Sequence, residues 1–252
     1  ALGYAPETIE PGRFHRFATS DKRGDSAGWC KLFDDMRGGV FGCMRQGISE
    51  TWSVVDRSAM TREQRAHQAR QAAIAASQSK ARQRQQWAEN EQRIAQVWAQ
   101  CVPVGAGDPA ALYLARRGLG DKFPDTLRLH PALSYWHKGN ELGTFPAMVA
   151  PIVAPDGGMV ALHRTYLTLD GRKADVPTVK KLTSAAGPLA GACIRLAQPR
   201  RSLIGVAEGI ETALAASLAS GVPTVAAYCA GAVAGYSWPS DVRSLVVFAA
   251  AA

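Results

Sequence analysis

The stretch SLIGVAEGIETALAASLASG, residues 202–221, changes texture at Glu208. Up to Ala207 it is a short, nearly continuous apolar run of the kind that lies buried in a parallel sheet. From Ile210 the apolar residues recur at helical spacing until Gly221, which predicts a helix closed by glycine. VPTVAAYCA (222–230) and RSLVVFA (243–249) read as two further strands. Strand, helix, strand, strand with short connections implies a mostly parallel sheet whose functional edge lies at the strand C-termini. Glu208 stands where the first strand runs out, so its carboxylate projects from that edge, and Gly209 is expected to let the backbone turn tightly beside it. Two roles stay open for Glu208: chemistry at the edge, or a carboxylate complementing a helix N-terminus. Glu211 reads as the second of these.

Working outward, ADVPTVKKLTSAAGPLAGACIRLA (174–197) reads as a loop followed by a strand. Before it, TFPAMVAPIVA (144–154) and MVALHRTYLTL (159–169) alternate around Pro155-Asp156-Gly157-Gly158, the clearest hairpin in the chain. DPAALYLARRGL (108–119) predicts a short amphipathic helix ending at Gly118 or Gly120. Residues 61–100 contain neither Gly nor Pro and open with Thr61 and Gln64 at capping-box spacing. A continuous helix there would be ~60 Å long. Its large apolar residues Trp87, Ile94 and Trp98 predict that the second half packs and the first is solvated. Residues 11–55, rich in glycine and aromatics, predict an antiparallel meander of about three strands.

The 252 residues are 47% apolar and 20% charged, enough to bury a substantial core, and the net charge is +8. The positive surplus falls between residues 61 and 200, while residues 201–252 are slightly acidic. Such a balance favours polyanionic partners without identifying one. Arg62, Arg65, Arg70, Lys80, Arg82 and Arg84 form either a solvated helix face or a nucleic-acid stripe. Trp29, Phe33 and Phe41 are either the small core of the N-terminal module or platforms for unpaired bases. No apolar run reaches the ~18 residues of a membrane span and no signal-peptide core precedes residue 25, so a soluble, cytoplasmic protein without membrane partners is expected. Five scattered cysteines, never spaced as CxxC, argue against a disulfide framework and against zinc. Residues 1–60 offer only Cys30, Cys43 and His15 as ligands, short of the four that a structural zinc site takes.

VAEGIETALAA followed by SLVVFA resembles the first half of a toprim domain, the metal-binding α/β module of bacterial-type primases, topoisomerases and some nucleases. Cys229-Ala230-Gly231 resembles the small-residue turn after its second strand. PAMVAPIVAPDGGMVALHRTYL, VKKLTS and GPLAGACIRLA are similar to the subdomain that precedes toprim in bacterial-type primases, and AALYLARRGL to a short helix of those proteins. RFHRF, GWCKLFDD and GGVFGCMRQGISETW resemble the zinc ribbon at the N-terminus of phage and plasmid primases, here without its Cys pairs. The order of modules is that of toprim primase-like proteins of plasmids, phages and integrative elements.

The resemblance implies an α/β chain: a zinc-ribbon-like β module lacking zinc ligands at 1–60, a basic helical linker at 61–102, a primase-core subdomain at 103–200 and a partial toprim domain at 201–252. It implies synthesis of short RNA primers on single-stranded DNA with Mg²⁺ or Mn²⁺, with Glu208 as catalytic and metal-binding residue. Arg164, Lys180 and Lys181, with Arg82 and Arg84 on the helix, are the implied nucleic-acid contacts. Single-stranded DNA and ribonucleotides are the implied partners, and a helicase or another replication or conjugation protein is a further candidate. Toprim domains carry Asp-x-Asp after the next strand; positions 250 and 252 are both Ala here. The chain is therefore expected to be truncated or substituted within that domain, or to end in side chains that were not identified, and to be catalytically silent as it stands. The rival expectations are a toprim nuclease or phosphotransferase, and a non-catalytic nucleic-acid-binding adaptor.

Overall fold

The computed structural model describes residues 5–21, 25–54, 61–120 and 122–249. These form a mixed α/β structure with three sheets, divided into two compact units, residues 1–78 and 79–252. In the first, β1 (Phe14–Phe17), β2 (Gly28–Leu32), β3 (Gly38–Cys43) and β4 (Ile48–Ser53) form an antiparallel sheet in sequential order. It has four strands where about three are expected, because ISETWS in β4 is almost wholly exposed and shows no apolar alternation to read. Strand pairing places Phe14, Arg16, Trp29 and Lys31 on one face of this sheet. Phe14 and Trp29 stack there, with centroids 5.7 Å apart and planes at 14°. Phe14 and Phe33 are exposed, whereas Trp29 and Phe41 are half-buried.

Helix α1 (Arg62–Ala99) is continuous and opens with the expected capping box: Gln64 N–H donates to Thr61 Oγ1 at 3.2 Å, and Thr61 N–H to Gln64 Oε1 at 2.9 Å. Its C-terminal part belongs to the second unit and packs through Ile94, Val97 and Trp98. Asn90 fixes it further by donating to Ala185 O at 2.8 Å. Helix α2 (Pro109–Ala115) starts with Pro109 after Asp108, whose carboxylate accepts from Ala111 N–H at 2.8 Å.

The second unit is built on an antiparallel sheet of β5 (Val102–Pro103), β6 (Arg128–His137), β7 (Asn140–Val153), β8 (Met159–Tyr166) and β9 (Lys180–Leu182), in that order. The β7–β8 hairpin forms at the expected turn, with Gly157 at φ +96°. β6 has no counterpart in the sequence reading, because Pro131 and register shifts at His130/Leu133 and Ser134/Trp136 break its alternation. Conversely, the strand expected near residue 194 is reduced to isolated bridges, Val153 with Cys193 and Ile194 with Ala226.

Alternation along β8 sorts the core. Leu162 and Tyr166 face the cluster that includes Ile94, Tyr135 and Val149. Ala161 faces a second cluster, shared by Met148 and Ile152, by Tyr113 of α2, and by Ala207, Ile210 and Ala226. The rest of the second unit is β10 (Leu203–Ala207) and its neighbours. β10 lies between β11 (Thr224–Ala226) and β12 (Ser244–Phe248), parallel to both, and is followed by α3 (Ile210–Ser220); α4 (Ala230–Ala234) follows β11. Helix α3 ends at Gly221 with φ +69°, the left-handed closure expected of that glycine.

Candidate functional site at the carboxyl edge of the parallel sheet

Glu208 follows the last residue of β10 and is exposed. Gly209 caps α3 with φ −122° and ψ 161°, extended backbone open to any residue. The chain bends at Glu208 and Gly209 as expected, but the bend does not depend on glycine. Gly209 contributes no side-chain hydrogen bond to α3. The positive end of that helix therefore opens on a cavity of about 230 Å³, lined by His163, Lys180, Glu208, Glu211, Thr212 and Tyr228 over Ile194 and Ile210.

Three elements converge on Glu211 in the first turn of α3. Its Oε2 accepts from Lys180 Nζ at 2.8 Å and its Oε1 from the Tyr113 hydroxyl at 2.5 Å. Arg117 lies over the Tyr113 ring at 3.8 Å. Burial alone would raise the Glu211 pKa, but the bonds from Lys180 and Tyr113 outweigh it and bring it from the ordinary 4.5 down to about 2. The same burial, with Glu211 alongside, pushes the Tyr113 hydroxyl up. Sequence alone makes Glu211 a helix-dipole residue; its tie to Lys180, 31 residues away, is tertiary.

A carboxylate held below its unfolded pKa stabilises the fold above that pKa, and the contribution is lost as pH falls through the folded value. For Glu211 the window runs from about 4.5 down to about 2. Lys180 is 41% exposed, so solvent screening leaves the pair worth about 1–2 kcal/mol, less than the whole shift. Chemical denaturation at pH 6 and pH 3 is expected to show the parent losing about that much more than Glu211→Gln. Equal losses in the two proteins would remove Glu211 from the account of acid sensitivity.

His163 is buried on β8, and burial, reinforced by Lys180, lowers its pKa to about 4. Its Nδ1 has no hydrogen-bond partner among the described residues. Nothing in the sequence reading marks His163; only its place on the hairpin, facing the same side as Lys180, gives it away. The register pairs Thr165 with Lys180 and His163 with Leu182, so His163 and Lys180 share a face.

Arg164 and Lys181 are paired on the opposite face, so the three expected hairpin cations do not form one platform. Arg164 donates to Leu182 O at 2.6 Å and to the Tyr166 hydroxyl at 3.3 Å. Lys181 donates to Trp136 O and lies 4.7 Å from the Tyr135 ring centroid. Arg82 and Arg84 are exposed on α1. Two residues apart on a helix, they do not face the same way and cannot form one stripe. Of the five basic residues proposed to contact nucleic acid, only Lys180 meets Glu208.

For the divalent cation implied by the resemblance, Glu208 is the one carboxylate at the cavity, among the described residues, that has no bond to another side chain. Among the described residues no three His, Cys, Asp or Glu side chains cluster as metal ligands, and both oxygens of Glu211 are already engaged. Positions 250 and 252, where the resemblance expects Asp, lie outside the described residues. No helix among the described residues is long and apolar enough to cross a membrane.

Residues 88–196 match a family described as a domain of unknown function, DUF7146. No curated protein matches by sequence. Among solved structures, the RNA polymerase domain of the Mycobacterium tuberculosis primase DnaG overlaps with a TM-score of 0.36 and 16% identity, covering 67% of this chain and 66% of that one. The zinc-binding and RNA polymerase domains of the Aquifex aeolicus primase overlap with a TM-score of 0.35 and 11% identity, covering 95% and 66%. The chain thus spans about two thirds of each of these solved chains.

Proposed function

We propose that the chain is a primase-like nucleotidyltransferase module of a mobile element, which holds a ribonucleotide against single-stranded DNA at the carboxyl edge of β10. The observation that carries this reading is the meeting of Lys180 and Glu208 at one cavity, at the open N-terminus of α3. An ammonium and the positive end of a helix suit phosphate oxygens. Glu211 positions Lys180 by its ion pair. In the reaction proposed for a chain that carries Asp at 250 and 252, a 3′-hydroxyl attacks the α-phosphorus of a nucleoside triphosphate. The new O–P bond forms as the bond to the β-phosphate oxygen breaks, pyrophosphate leaves, and the hydroxyl proton passes to a base, the role assigned to Glu208. Magnesium or manganese belongs to the resemblance, and the described residues do not hold it. The stacked Phe14 and Trp29 beside Arg16 and Lys31 suit an unpaired strand, which would stack on rings and be gripped at its phosphates.

Binding measurements separate the two faces of the hairpin. Lys180→Ala is expected to weaken ATP binding about tenfold and to lower its salt slope, the loss of one cationic contact at a phosphate. Lys181→Ala is expected to leave ATP affinity unchanged and to cost about 1 kcal/mol of stability, through its cation–π contact and carbonyl bond. Unchanged ATP affinity in Lys180→Ala would sink the assignment of the site.

A further inference from the structure

A second cavity, of about 240 Å³, shares no lining residue with the one at Glu208. Ile204 of β10 and Val225 of β11 are buried at its bottom, and the exposed Trp238 stands at its mouth, 6.4 Å from the ring of Tyr236. Ile204 precedes Glu208 by four residues, ~13 Å along the strand, so this cavity lies away from the carboxyl edge. Arg195 supplies a polar wall. Its Nη2 donates to Ala154 O at 2.8 Å and to Pro155 O at 3.5 Å, which fixes the guanidinium, and the Cys193 thiol lies beside it. An arginine has five N–H donors, more than these contacts use. None of its nitrogens is both buried and unpaired, so the unused donors face water. Among the described residues no Asp or Glu lines the cavity. Residues 195–201 and 236–243, which border it through Pro199 and Pro239, carry Arg195, Arg200, Arg201 and Arg243 against Asp241 alone. None of these arginines makes an ion pair among the described residues. Asp156, next to Pro155, accepts from Gly158 N–H within its own turn.

We propose that this cavity docks an acidic segment of a partner protein, which inserts one apolar side chain over Ile204 and Val225 and sets its carboxylates against Arg195 and the arginines beside it. The docking is independent of the nucleotidyl-transfer reading above. At about 240 Å³ the cavity is smaller than the ~300–1,000 Å³ that encloses a whole small ligand, and it has room for a single side chain. The bottom decides what enters. A nucleic-acid base would press its ring nitrogens and carbonyls against Ile204 and Val225, and burying them unpaired costs free energy. An apolar side chain gains free energy by the same burial. An exposed tryptophan beside an apolar recess is the residue type that carries binding energy at protein interfaces. Carboxylates answer the surplus of arginine, because a guanidinium gives them short, charge-assisted hydrogen bonds.

The test titrates a short fluorescein-labelled peptide, one phenylalanine flanked by aspartates, with the full chain and follows its anisotropy. Saturable binding is expected in the parent. Trp238→Ala should weaken it about tenfold, the loss of one interface anchor. Arg195→Gln should weaken it about as much and reduce its dependence on salt. Replacing the phenylalanine of the peptide by alanine should cost a similar factor, because the side chain and the cavity are two halves of one contact. Lys180→Ala, at the cavity beside Glu208, should bind the peptide as the parent does. Trp238 is exposed, so its removal should leave the melting temperature unchanged and decides the matter even where Arg195→Gln fails to fold. No saturable binding by the parent at millimolar peptide overturns the proposal, and so does equal affinity in the parent and Trp238→Ala. A dT oligonucleotide that displaces the peptide and loses affinity in both variants would give the surface to nucleic acid and overturn it as well.

Discussion

Replacing Tyr135 by alanine is expected to destabilise the second unit by about 4 kcal/mol, a large share of the ~5–15 kcal/mol that holds a typical domain together. Tyr135 is fully buried at the centre of an aromatic cluster. Its ring meets Tyr166 edge-on, with centroids 4.9 Å apart and planes at 84°, and Phe145 at 6.2 Å and 87°. Its hydroxyl accepts from Thr178 N–H at 3.0 Å, and Lys181 lies over its face. Truncation empties the centre of this cluster and leaves the Thr178 N–H unpaired. A midpoint lowered by ~8–16 °C is the corresponding calorimetric result for a unit of this size. Tyr135→Phe keeps the ring and loses only the hydroxyl, so it should cost about 1 kcal/mol. The contrast between the two variants separates packing from hydrogen bonding. A loss below about 1.5 kcal/mol for Tyr135→Ala would mean that the sheet recloses around the gap and that the aromatic cluster is not the anchor of this face.

Local signals and tertiary ones were unequally legible in the sequence. The β7–β8 hairpin and the β10–α3 junction were legible because their signals are local: alternation around Asp156-Gly157, and a change of period at Glu208. β6 was illegible because its pattern is broken by Pro131 and its identity comes from pairing with β7. At the site, Glu208 could be placed at a sheet edge from residues 202–221 alone. The separation of Lys180 from Lys181 was available too, since neighbours in a strand point to opposite faces, but β9 is only three residues long and shows no periodicity. The bond between Tyr113 and Glu211 joins residues 98 apart, and no spacing rule reaches that far. The unpartnered Nδ1 of His163 is a property of packing alone.

Introducing Asp at both 250 and 252 is expected to raise the affinity of the chain for Mn²⁺ by about 100-fold, because cation affinity follows the number of oxygen ligands a site collects. The parallel register pairs Ala207 with Phe248, so the chain leaves β12 at the same edge at which Glu208 leaves β10. The resemblance expects its two further carboxylates just after that strand. The parent sequence has Ala at both positions, and Glu208 is the uncommitted carboxylate at the cavity among the described residues. Primer synthesis on single-stranded DNA with ribonucleotides is accordingly expected at background in the parent and above it in the double variant, with Mn²⁺ or Mg²⁺ supplied. Adding Glu208→Gln to the double variant should return both metal affinity and synthesis to the parent level. Glutamine has nearly the same shape as glutamate, so the loss would belong to charge and proton transfer. Cleavage of DNA without synthesis in the double variant would move the assignment to a nuclease. Ordinary synthesis by the parent would mean that the metal is held elsewhere and that Glu208 is only the carboxylate at the start of α3. Metal affinity that rises without depending on Glu208 would show that the two Asp residues bind alone, and that the edge of β10 does not complete their site.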